Sequence, residues 1–158
     1  MFPAGREILV IHRLDADLGL NEFNSFRALA GPSLGFSIVC PPASSYPVPM
    51  SVQGVPQRVV PGQHFTVTVT VRNTMDFPWH IDGPCPVQGA WEWSTRPQPG
   101  EGTRFQLPRE LAPGETATWM VEIEAPAIPG RYRLYFTLVQ ERSTWFHARP
   151  GFQPAVFE

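Results

Sequence analysis

From His64 to Asn73 apolar and polar side chains alternate without a break. Phe65, Val67, Val69 and Val71 fall on one side, and Thr66, Thr68, Thr70 and Arg72 on the other. A period of two in β-branched residues predicts a strand with one dry and one wet face. The pattern returns in Thr116–Glu124, with Ala117, Trp119, Val121 and Ile123 opposite Thr116, Thr118, Glu122 and Glu124. It returns again in Arg131–Val139. There Tyr132, Leu134, Phe136 and Leu138 are expected inward, and Arg131, Arg133, Tyr135 and Thr137 outward. Pro61-Gly62, Pro113-Gly114 and Pro129-Gly130 stand just before these three segments as turn signals. Shorter strands are expected at Phe77–Ile81, Val87–Trp93, Arg104–Leu107 and Thr144–Ala148, with an edge strand interrupted by prolines and glycine over Val48–Val60. No helical period runs among them. Half-wet strands in this number predict an all-β fold, a sandwich or barrel, whose one-sided strands close two antiparallel sheets over one core across residues 46–158.

Residues 1–45 read differently and are expected to form an N-terminal extension or arm of mixed structure. Glu7–Arg13 and Ser33–Cys40 are short apolar runs that suit strands. Phe23, Phe26 and Leu29 suit a helical face within Asp15–Leu29, weakened by Gly19 and ended by Gly31-Pro32. Pro41-Pro42-Ala43-Ser44-Ser45 is a linker by composition. The segment has apolar content but too little length for a core of its own. It is expected to pack on the sandwich, on another copy, or on a partner. The irregular spacing of the turn-and-strand units speaks against a solenoid.

Composition narrows the partners. With twelve basic and fourteen acidic residues the formal charge is −2, which argues against electrostatic binding of nucleic acid or acidic lipid. Charged residues are 16% of the chain and prolines number 19, against a usual quarter charged, which means many turns and little exposed helix. All the basic residues are arginine. That fits GC-rich coding first and a thermophilic source second. No stretch reaches the ~20 apolar residues of a membrane-spanning helix. The N-terminus has no basic segment leading into a long apolar one, so no secretory signal is read and synthesis in the cytoplasm is expected. Cys40 and Cys85 are expected to be two buried thiols, with a single bridge as the alternative.

No pattern of catalysis stands out. His12, His64, His80 and His147 lack the spacing that puts two metal ligands on one face. Asp76, His80 and Asp82 are expected in a solvated loop, and Asp15/Asp17 lack the rest of a calcium loop. No serine lies in a nucleophile elbow, no cysteine in a C-x-x-C motif, and no glycine-rich phosphate loop is present. Glu92, Glu101, Glu110 and Glu115 fall on outward or loop positions. No catalytic residue, cofactor or metal ligand is therefore assigned. The aromatics remain. Trp91 and Trp93 share one face of a strand, Trp145 and Phe146 take opposite faces, and the tail carries Phe152, Val156 and Phe157. The expected reading of Trp91 and Trp93 is a core face, with an exposed platform as the alternative. Trp91, Trp93, Trp145, Phe152 and Phe157 are the candidate binding surface, because aromatics dominate recognition.

Several stretches together resemble a known family. They are Val60-Pro61-Gly62-Gln63, Val71-Arg72-Asn73-Thr74 with Trp79, and Leu111-Ala112-Pro113-Gly114-Glu115-Thr116. Ala125-Pro126 with Pro129-Gly130-Arg131-Tyr132 follows, and then Leu138-Val139-Gln140-Glu141 leading to Trp145-Phe146. Over residues ~48–158 the chain resembles the four-tryptophan immunoglobulin-like domain of an autophagy cargo receptor and its bacterial relatives, which serve as accessory modules of glycosyltransferases, methyltransferases and secreted hydrolases. Trp79, Trp91, Trp119 and Trp145 would be the large ring positions. Residues 1–45 match nothing in that family, and Arg142-Ser143-Thr144 lacks its usual glycine. The resemblance implies the fold more than the function.

The chain is therefore expected to be a non-enzymatic structural or assembly protein. It would bind other protein subunits, or copies of itself, through the sandwich and the arm, as virion decoration or tail components do. The alternative is a carbohydrate-binding accessory module of a glycan-modifying system.

Overall fold

The computed structural model describes residues 8–11 and 36–158. The chain divides into two compact units, residues 1–41 and 42–158. In the first, β1 (Ile8–Ile11) and β2 (Phe36–Val39) pair antiparallel, Ile8 opposite Val39 and Ile11 opposite Phe36. Both strands fall inside the apolar runs that predict them. The helix expected within Asp15–Leu29 lies outside the described residues.

The second unit is an all-β sandwich. Its strands are β3 (Met50–Gln53), β4 (His64–Arg72), β5 (Val87–Ser94), β6 (Thr103–Gln106), β7 (Thr116–Glu124), β8 (Arg133–Gln140), β9 (Thr144–Trp145) and β10 (Ala155–Phe157). One sheet runs β3-β4-β7; the other runs β10-β8-β5-β6, with β9 also on β8. Every pairing is antiparallel. The alternating residues fill the space between the sheets. Val67, Val69 and Val71 of β4, Val121 and Ile123 of β7, and Leu134, Phe136 and Leu138 of β8 are all buried in one core. Burying a side chain of this size stabilises by about 1.5–3 kcal/mol. That is why the dry face of each strand, not its intrinsic preference, fixes the register. Gly89 lies opposite Phe105, and a Cβ there would meet the ring at 2.1 Å. The bare glycine thus lets Phe105 lie across β5 and reach Trp119 of β7, ring centres 6.0 Å apart.

Several expectations need correction. The edge strand expected over Val48–Val60 is only β3, because Gly54 takes a φ of 87° and turns the chain away. Phe77–Ile81 is a single bridge, Trp79 to Leu111, rather than a strand. Thr144–Ala148 is two strand residues followed by a 3-10 turn, Phe146–Ala148. The composition of residues 42–45 suggested a linker, yet they belong to the sandwich unit. Ala43 is buried, and its amide donates to the hydroxyl of the fully buried Tyr46 at 3.1 Å. Tyr135 and Thr137, expected on a wet face, are buried too. Tyr135 donates to the Arg96 carbonyl at 2.9 Å, Thr137 Oγ1 bonds His147 Nδ1 at 2.9 Å, and Trp145 pairs with Val139. Chain segments after β5 and after β8 thus attach to the outer face of β8. Cys40 and Cys85 are not free thiols. Both are disulfide-bonded.

Asn73, immediately after β4, is fully buried and fully used. Its Nδ2 donates to the carbonyls of Phe77 and Leu111, both at 2.9 Å, and its Oδ1 accepts from the Met75 amide at 3.0 Å. Its main chain bonds Glu115 and Gly114. Gly114, at a φ of 86°, makes the turn that delivers β7 to β4. Asn73→Ala strips these groups of partners in a buried site, and each orphan costs about 1–3 kcal/mol. The expected loss is about 3 kcal/mol in urea unfolding. A loss under about 0.5 kcal/mol, the range of an ordinary surface change, is the result that contradicts this.

Candidate binding cleft

The chain folds an open cleft of about 790 Å³ at one end of the sandwich. Three parts build it: the β3–β4 connection, the β7–β8 connection, and the ends of β5 and β10. Period-two alternation in β5 sends Trp93 toward the core side, where its ring meets Phe65 edge-on at 6.3 Å. Its Nε1 donates to the Glu124 carbonyl at 2.8 Å, which fixes the indole at the rim of the core. Tyr132 packs edge-on to Trp93 at 6.4 Å and donates to the Ile128 carbonyl at 3.0 Å. That bond holds the Ala125–Pro129 turn against the aromatic pair. Phe157 of β10 lines the same cleft and stands edge-on to Phe136.

Charge is one-sided at the rim. Arg58, Arg131, Arg133 and Glu158 line it. Arg133 bonds Glu158 at 2.8 Å, which raises the pKa of the guanidinium further. Among the described residues Arg58 and Arg131, both exposed, have no acidic partner. Two large apolar side chains stand in solvent at this end, Ile128 at 73% exposure and Val60 at 67%. The Gly62 amide ties their two loops together through the Pro126 carbonyl at 3.2 Å.

A shallower groove of about 410 Å³ adjoins, lined by Trp91, Trp93 and Tyr132 with Glu92 and Glu124. The Glu92 carboxylate is engaged by the Gly100 amide and by Arg96 at 3.3 Å.

The five sequence-predicted surface residues separate. Trp93 and Phe157 line the cleft, and Trp91 lines the groove. All three are half-buried against the core rather than standing free. Trp145 lies on the outer face of β8, with the Arg104 guanidinium stacked 4.2 Å from its ring centre. Arg104 is held by Glu141 at 2.8 Å, so an aromatic–cation–carboxylate sandwich occupies that position. Phe152 is not a surface residue: it is buried edge-on against Phe146 in the core. Sequence reasoning missed Ile128, Tyr132, Arg58 and Arg131 as cleft residues. Ile128-Pro129-Gly130 is the one local signal, since a large aliphatic in a Pro-Gly turn has no strand face to hide on.

Among the described residues no three His, Cys, Asp or Glu side chains converge as metal ligands. His80 instead bonds Glu110 at 3.0 Å. No helix among them is long and apolar enough to cross a membrane. No family model, curated protein or solved structure matches this chain.

The surroundings of His147 move its titration. Burial depresses its pKa below the ordinary 6.5, and the Glu92 charge opposes this only in part. The folded state therefore favours neutral imidazole. Its contribution is complete above the unfolded value of about 6.5 and is lost as pH falls through the depressed folded value. Thermal melts between pH 7 and about 5 are expected to fall more steeply for the native chain than for His147→Gln. Parallel slopes in the two proteins contradict it.

Proposed function

We propose that the sandwich is of immunoglobulin-like type. We also propose that the chain is a non-enzymatic assembly module that binds other protein subunits through the cleft, with residues 1–45 as a second, arm-like contact. The strand order supports the type. Counting the sandwich strands in sequence without the two-residue β9, one sheet holds the first, second and fifth, and the other the seventh, sixth, third and fourth. The 1-2-5 and 7-6-3 orders match the A-B-E and G-F-C strands of such domains, and the fourth strand lies beside the third, on the edge where variable-type domains add strands.

One observation carries the binding reading. An aromatic wall of Trp93, Tyr132 and Phe157 meets exposed Ile128 and two arginines without acidic partners in a single cleft. Aromatic anchors, aliphatic rim and arginine are the composition of binding hot spots. The site offers shape, apolar area and positive charge, which suits a segment carrying a hydrophobic residue beside a carboxylate. Virion decoration and other surface assemblies are settings in which such a module serves.

A second reading, a carbohydrate-binding accessory module, is favoured by the adjoining groove. Its two indoles and tyrosine lie beside the carboxylates of Glu92 and Glu124, and stacking faces next to hydrogen-bond acceptors suit a sugar ring.

Co-expression with the products of neighbouring reading frames tests the first reading. The native chain is expected to co-purify with one of them. Ile128→Asp combined with Arg131→Glu is expected to weaken that complex about 10- to 100-fold without lowering the melting temperature. A chain that joins none of those products, or one whose complex ignores both changes, refutes the cleft. A glycan titration followed by Trp91 chemical shifts decides the second reading.

A further inference from the structure

The β3-β4-β7 sheet ends on one side in β7, nine residues paired over their whole length with β4 and with no offset in register. Strand β7 contains no proline, glycine or lysine, and its unbroken register leaves no bulge. Of the usual devices that stop an edge from pairing, it carries only the charges of Glu122 and Glu124 near one end. The main-chain directions follow from its flanks. The Asn73 amide bonds the Glu115 carbonyl and the Ala125 amide bonds the Gln63 carbonyl, both at 2.8 Å. Main-chain groups alternate along a strand, so the odd residues of β7 face β4 and the even residues face outward. At the two ends the outward carbonyls are taken: Trp93 donates to Glu124 and Arg109 to Thr116. Between them Thr118, Met120 and Glu122 present amides and carbonyls with no partner among the described residues. Met120, at the middle, is 75% exposed, more than any other large hydrophobic described.

The order of residues is self-complementary. Placed antiparallel to itself about Met120, β7 sets Met120 against Met120, Thr118 against Glu122, and Thr116 against Glu124. No carboxylate meets a carboxylate, and the free groups of residues 118, 120 and 122 make about six main-chain hydrogen bonds across the two-fold axis. Moving the axis one residue either way sets the free groups of Thr118 or Glu122 against an end residue whose carbonyl is already taken, and moving it two residues to Glu122 sets that carboxylate against itself, so the methionine-centred register makes the most bonds without like-charge contact.

We propose that β7 is a homodimer interface, at which a second copy of this chain continues the three-stranded sheet by antiparallel pairing centred on Met120. This deepens the assembly reading by naming the chain itself as one partner, and it uses a different surface from the cleft.

Sedimentation of the purified chain is expected to show a concentration-dependent dimer. Met120→Arg, which puts two guanidinium groups at the axis, is expected to weaken it at least about tenfold. Met120→Cys is expected to give a disulfide-linked dimer under mild oxidation, since both native cysteines are already bonded. Thr118→Cys and Glu122→Cys are each expected to cross-link poorly alone and well when mixed, which a dimer through any other surface would not reproduce. A chain that stays monomeric to millimolar concentration with no Met120→Cys cross-link overturns the proposal. So does a dimer that tolerates Met120→Arg, or a monomer whose Met120→Arg variant loses only a foreign partner. The Ile128 and Arg131 changes leave this dimer intact, so its failure and the failure of the cleft are separable.

Discussion

The amide of Asn73 is the point through which the two sheets are connected. It sits where β4 ends and the chain must cross to the other sheet. A crossing exposes main-chain polar groups to the interior, and these must find partners there. Asn73 supplies them in one place: its side chain caps the carbonyls of Phe77 and Leu111 and the amide of Met75. Its backbone grips the Gly114 turn. The outgoing segment with Trp79, the incoming one with Leu111 and the start of β7 are thereby held at one spot. Trp79 then lies fully buried, edge-on to Phe146, which in turn touches Tyr46. One polar residue therefore positions the largest rings of the core.

The cleft lies at another part of the sandwich and is built from connections rather than strands. Its aromatic floor is nevertheless anchored to strands. Trp93 is locked by a main-chain carbonyl of β7, and Phe157 by the β10–β8 pairing. The exposed elements, Ile128 and the two arginines, ride on turns rich in proline, which lose little freedom when a ligand arrives. A rigid floor with pre-set rim residues suits the binding proposed for this cleft, since little freedom is lost on docking.

The strands of longest alternation were legible because burial and period-two patterning agree in them: β4, β7 and the inner face of β8 lie where Phe65–Val71, Ala117–Ile123 and Leu134–Leu138 predict. Tyr135 and Thr137 were misread for a definite reason. Alternation reports two faces but not what later chain segments lay upon the second one, and a threonine or tyrosine suits either setting once its hydroxyl is bonded. Trp79 carried strand propensity, yet its placement depends on Asn73 and Leu111, residues remote in sequence. The cystine was equally out of reach, since spacing alone does not report distance. For the site, Trp91, Trp93 and Phe157 were visible as aromatics, whereas Phe152 and Trp145 differ from them only in their surroundings. Arg58 and Arg131 stand out because no described carboxylate pairs with them, a fact of space and not of order.

Apart from the two-residue β9, which shares its edge with β10, the outermost strands of the two sandwich sheets are unequal. β3, β6 and β10 contain four, four and three residues, while β7 contains nine. A short border offers too few bonds to hold a foreign chain. Whatever adds to this sheet therefore adds on one side and finds no equivalent border on the other. Polymerisation by strand addition requires two such borders per molecule. With one such border among the described strands of the sandwich, pairing at β7 closes on itself, and the uneven lengths act as a stop against fibre growth through these sheets.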